Sequence, residues 1–152
     1  MSSFLDQMVE NKKKWSIIGL STLGLLISLY ISLFIEQGGS AAFCTIGETF
    51  DCTSVINSAY GHVFGISVSE LGAFYFLVVI ALYAVDFYDD YVMAGVSIIG
   101  LLSIMYFIFV ELIILDKFCL YCTSVHIVVI ILFVIIAPES IKNSYNKLVN
   151  KK

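Results

Sequence analysis

Apolar residues fall into four long stretches with short polar breaks between them. Trp15 to Ile35 is an uncharged run of 21 residues, and Phe118 to Ala137 is uncharged over 20. Between them, Ile66 to Val85 carries only Glu70 and Tyr91 to Leu115 carries only Glu111. A helix of about 20 apolar residues crosses the roughly 30 Å hydrocarbon core of a bilayer. The pattern therefore predicts an all-α integral membrane protein, a bundle of four transmembrane helices over 15–35, 66–85, 91–115 and 118–137. One membrane domain, 1–152, accounts for the whole sequence. Pro138 is expected to end the last helix, leaving a lysine-bearing tail from Lys142 to Lys152.

The polar stretch 36–65 stands apart. Gly38, Gly39 and Ser40 give it a flexible start, and a structureless loop this long is uncommon and usually functional. Asp51 is placed to cap a short helix in which Val55 with Ala59, and Ile56 with Tyr60, share a side. Such a half-helix would lie flat on the membrane surface.

Composition narrows the picture further. Sixty per cent of the residues are hydrophobic and 13% charged, which is membrane rather than soluble usage. The net charge of −4, with no arginine, gives a nucleic-acid partner no electrostatic support. The first apolar run, followed by Ser40-Ala41-Ala42, has a secretory leader as its rival reading. At 21 residues it exceeds the usual apolar core of about 7 to 15 in such leaders, so it reads as a retained helix. Seven of the eight lysines lie in the two termini, which the positive-inside tendency places in the cytoplasm. Loop 36–65 and the Asp116-Lys117 break then face outward, and the acidic Asp86–Asp90 turn faces inward.

On this topology two pairs of cysteines share the outer side. Cys119 and Cys122 form a Cys-x-x-Cys at the head of the last helix, where residues three apart share a face and the helix N-terminus favours a thiolate. Cys44 and Cys52 lie on the preceding outer loop. Thiol-disulfide exchange proceeds by attack of a thiolate on a disulfide, so two pairs able to meet form a relay. Four cysteines allow three pairings, and a relay would visit more than one. His126 lies one turn beyond Cys122, about 6 Å along the axis and on the same face, where it can donate to a ligand oxygen.

The ordered set Cys44, Cys52, Ser58-Ala59-Tyr60-Gly61, Phe64-Gly65-Ile66, Leu71-Gly72 and Phe118-Cys119-Leu120-Tyr121-Cys122-Thr123 resembles the vitamin K epoxide reductase family, in its prokaryotic form without a fused thioredoxin-like domain. The resemblance covers most of the chain from Cys44 to Cys122. It implies a four-helix bundle around a quinone pocket, the quinone being of menaquinone, ubiquinone or vitamin K type. Cys119 and Cys122 would be the active-site pair, with Cys122 nearer the quinone. Cys44 and Cys52 would be the shuttle pair, Cys52 exchanging with Cys119 and Cys44 with a thioredoxin-like thiol protein. Ser58 matches the family's loop serine, and Tyr60, Phe64, Leu71, Leu120 and His126 fall at pocket positions. The protein would then be a monomeric, lipid-embedded oxidoreductase supporting disulfide formation. Val68 and His126 stand where the vertebrate members carry asparagine and tyrosine, which weighs against vitamin K epoxide as the substrate.

Other readings compete. Four thiols can bind zinc in a tetrahedron, although Cys44 and Cys52 are spaced too widely for a common zinc pair, and an oxidising compartment favours disulfides. A scaffold held by inert disulfides is the remaining alternative. Glu111, within about a turn of the outer boundary, is expected to snorkel to the interface. Glu70 is expected to act as a helix-dipole partner and His62 as a solvated loop residue.

Overall fold

A computed structural model describes residues 2–39, 44–46, 50–86 and 89–150. The first apolar run lies within helix α1 (Ser2–Tyr30), which widens into a π-helical turn at Ile31–Ile35. Helix α3 (Val68–Ala84) is the shortest of the long helices at 17 residues. It starts where the Ser67 side chain accepts from the Ser69 amide at 3.2 Å, and Glu70 sits in its first turn as the dipole requires. Helix α4 (Asp90–Phe109), capped by Asp89, also passes into a π-helical turn, Val110–Leu115. Helix α5 runs from Leu120 to Val149. Three of these helices are long and apolar enough to cross a membrane, and α3 is a shorter apolar helix. The molecule is a helical membrane bundle.

Contrary to expectation, Pro138 does not stop α5. Its ring fixes φ in the helical range, and the bond lost is the one to the carbonyl four residues earlier. Beyond it the helix is tied down, since Asn143 donates to Asp90 at 3.2 Å and Lys147 pairs with Asp90 at 2.6 Å.

Helix α1 packs against α3 and α5, and α5 packs against α4. Lipid tails are as apolar as leucine, so tight packing rather than the hydrophobic effect must hold such helices together. Gly24 lets α1 approach so closely that a Cβ there would overlap the ring of Phe76, and Gly100 does the same for the Tyr75 hydroxyl. Ile17, Phe76, Val79 and Leu132 form the buried centre. Leu26, Phe74, Ile99, Met105 and Val134 point outward, toward lipid.

Between α1 and α3 lie the small elements that carry chemistry. Strands β1 (Thr45–Ile46) and β2 (Phe50–Asp51) pair antiparallel, Thr45 opposite Asp51. Helix α2 (Cys52–Ile56) follows at once, with Asp51 as its cap accepting from the Ser54 amide at 3.0 Å, as its sequence predicts. After a 3-10 turn, Ala59–Gly61, strands β3 (His62–Val63) and β4 (Ile66–Ser67) make a tight hairpin. Its two corner residues, Phe64 and Gly65, both have positive φ, the type I′ geometry that matches strand twist. Ser40, Ala41 and Ala42, the small residues behind the rival leader reading, lie outside the described residues.

Candidate redox site

Each cysteine owes its place to an element start. The β1–β2 hairpin brings Cys44 beside Cys52, their Cα atoms 5.7 Å apart and their sulfurs joined as a disulfide. Cys119 caps α5, and its Sγ accepts from the Cys122 amide at 3.2 Å. Cys119 and Cys122 are free thiols. The sulfurs of Cys44, Cys52 and Cys119 lie within 4.8 Å of one another. A disulfide and a thiol therefore face each other at exchange range, with all three residues fully buried.

What holds the loop there is a short latch. Asp51 donates its amide to the Phe118 carbonyl at 3.2 Å, and Lys117 Nζ pairs with Asp51 Oδ2 at 3.0 Å. The rings of Phe50 and Phe118 sit 6.0 Å apart. Hydrogen bonds from Ser54, its hydroxyl first and then its amide, together with Lys117, lower the Asp51 carboxyl from 3.8 to about 2. The latch is therefore charged throughout the neutral range.

On the far side of Cys122 opens a cavity of about 90 Å³, several times what one water needs. Helix α5 contributes Cys122, Val125 and His126, and the α4 end contributes Phe107, Val110, Glu111 and Leu115. Ser28, Ile31 and Glu36 come from the first helix, and Val68, Ser69 and Gly72 from α3. Val55, Ile56, Ser58 and Tyr60 close it from the redox loop. An apolar chamber with a few convergent polar groups is the usual form of a small-molecule site.

Of the residues expected around a ligand, Cys122, His126, Ser58 and Tyr60 line this cavity. Cys119 stands beside Cys122 and joins it to the loop pair. Phe64 does not come near: it occupies the hairpin corner and is fully exposed. Leu71 and Leu120 point outward, at 39% and 45% exposure. Gly72, one residue around the helix from Leu71, faces the chamber instead. Glu111 reverses its expectation. It does not snorkel but is 6% exposed, and its carboxylate lies within 4.8 Å of both the Cys119 and Cys122 sulfurs. Glu36, which accepts from the Ser67 and Ser69 hydroxyls, is a second carboxylate that the sequence reading passed over.

The model for the vitamin K epoxide reductase family matches residues 15–137, from the first apolar run through the Cys-x-x-Cys helix. The chain belongs to the vitamin K epoxide reductase family. No curated protein matches it. Family membership together with the adjoining cysteines makes the protein a membrane thiol oxidoreductase, and vitamin K epoxide reductase family members act with quinones.

Proposed function

We propose that this protein is a thiol-disulfide:quinone oxidoreductase that supports disulfide-bond formation. Four spans, with α3 as the fourth, would hold both termini in the cytoplasm and both cysteine pairs outside. The unbroken line of sulfur from Cys44 and Cys52 through Cys119 to Cys122, ending at an apolar chamber, carries this reading.

A reduced thioredoxin-like protein gives two electrons to the Cys44–Cys52 disulfide by attack on Cys44. The Cys52 thiolate then attacks Cys119 in the oxidised active pair. Cys122 leaves as thiolate, and Cys44 closes the loop disulfide again. The arrangement in this structure, with the loop pair oxidised and Cys119 and Cys122 reduced, corresponds to the stage just after that exchange. A bound quinone supplies the electron acceptor. Reforming the Cys119–Cys122 bond then releases two electrons and two protons, converting quinone to hydroquinone. Helix α2 roofs the chamber, with Val55 and Ile56 lining it, so it serves as a lid. His126, Ser58 and Tyr60 would hold the quinone oxygens.

Vitamin K epoxide is the less favoured substrate, because both departures from the vertebrate pattern, Val68 and His126, line the chamber. A four-thiolate zinc site would require the Cys44–Cys52 bond to be opened first.

The deciding experiment feeds the purified protein with a reduced thioredoxin-like protein in one assay and a small permeant dithiol in another, and follows quinone reduction. Cys122→Ala should abolish turnover with both donors. Cys44→Ala should abolish it with the protein donor alone. Equal loss in the two variants with the small dithiol would sink the division of roles, and stoichiometric zinc without turnover would sink the enzyme.

A further inference from the structure

Resting on that reading, we propose that Glu111 is a catalytic residue: its carboxylate takes the proton of the Cys122 thiol when the active pair is oxidised and delivers it into the chamber. Three observations support the assignment. Glu111 is buried in the bundle rather than turned to the interface, it lines the same chamber as Cys122, and its carboxylate lies within 4.8 Å of the Cys122 sulfur. Its backbone is fixed for the task by the π-helical turn Val110–Leu115, closed where the Lys117 amide donates to the Glu111 carbonyl at 3.3 Å. Single π-helical turns recur at functional sites.

The chemistry requires such a group. Two S–H bonds break, one S–S bond forms, and two electrons pass to the quinone. One proton travels from Cys122 Sγ to Glu111 and then to the nearer quinone oxygen. The Cys119 proton leaves to solvent at the outer face, and a proton from the same solvent completes the second hydroxyl. In the preceding exchange Glu111 runs the other way: reprotonated from solvent after hydroquinone leaves the chamber, it gives that proton to the Cys122 thiolate as it is expelled. Cys122 is half-buried where it lines the chamber, and Glu111 is the carboxylate within 4.8 Å of its sulfur. The other titratable groups facing this pair are Cys119 and His126 on α5, Glu36 at the end of the first helix, and Tyr60 on the loop.

The test compares wild type, Glu111→Gln and Glu111→Asp with a small dithiol and a soluble quinone, from pH 6 to 9. General acid-base catalysis is worth about 10²- to 10⁴-fold, so Glu111→Gln should lose at least about 100-fold near neutrality. Its rate should climb more steeply with pH than wild type as the thiolate forms unaided, and Glu111→Asp should fall between. Exchange between the thioredoxin-like protein and the Cys44–Cys52 pair, followed without quinone, should proceed at the wild-type rate and serves as the folding control. If Glu111→Gln fails that control, Glu111→Asp carries the comparison. Turnover within threefold of wild type with an unchanged pH profile would overturn the proposal. Failure of wild type to reduce any quinone would instead overturn the proposed function. Glu111 would then be judged by alkylation of Cys122, whose pH profile should move in Glu111→Gln if carboxylate and thiol share a proton, and stay put if they do not.

Discussion

His126 follows Cys122 by four residues on α5, and both side chains face the chamber. That much is legible in the sequence, because a helix stacks such positions on one side. A neutral hydrogen bond to a ligand oxygen contributes about 0.5–1.5 kcal/mol. His126→Phe should therefore raise the quinone KM about 2- to 10-fold while leaving the exchange between the two cysteine pairs unchanged. Stopped-flow measurement of each half-reaction checks both parts, and equal slowing of the two would remove His126 from the quinone site. Glu111 was legible by the same logic and was missed. Met93, Ser97, Gly100 and Ile104 make the buried stripe of α4, and Glu111 lies 18 residues, five full turns, beyond Met93. Judging Glu111 by its distance from the membrane boundary hid the face it occupies. Phe64 erred in the opposite sense. A motif places a residue in the chain, but only the hairpin corner, with its positive φ, decides that this ring points away.

Helix α2 has five residues, too few to hold its own shape in water. It persists because Asp51 caps it and because the same carboxylate is bound to Lys117 at the head of α5. The cap was readable from Asp51 and the residues after it. The ion pair was not, since Lys117 lies 66 residues away. Asparagine caps as well as aspartate, so Asp51→Asn separates the two duties. An exposed ion pair is worth about 0.2–1 kcal/mol. The variant should accordingly slow turnover driven by the thioredoxin-like protein by about 1.4- to 5-fold and leave small-dithiol turnover alone. Because folding depresses the Asp51 carboxyl from 3.8 to about 2, its contribution is complete above about pH 4 and fades as pH falls toward 2. Hydrogen exchange at the Ser54 amide should accelerate over that window in wild type. An unchanged rate would mean that the latch does not hold the helix.

Across the whole molecule, the terminal lysines and the cysteines separate to opposite ends. Lys14 pairs with Asp86 and Lys147 with Asp90, so the start of α1, the turn between α3 and α4 and the end of α5 meet at one end of the bundle. Both cysteine pairs meet at the other. The acidic turn Asp86–Asp90 looks out of place on a cytoplasmic face when read alone, but the terminal lysines pair with two of its three aspartates. Such pairing joins residues 72 and 57 apart, beyond the reach of any local pattern. The four apolar runs gave the helices because hydropathy acts locally, whereas the partners of charged ends depend on how the helices return. The structure fixes which groups share an end, and lysine placement predicts that the lysine end is cytoplasmic. Membrane-impermeant maleimide, added to intact cells, should label from outside a cysteine introduced at Phe64, the fully exposed corner of the hairpin after α2. A cysteine introduced at Asn150 should react only after the membrane is opened. Outside labelling at Asn150 would invert the topology, and with it the compartment from which the relay draws its electrons.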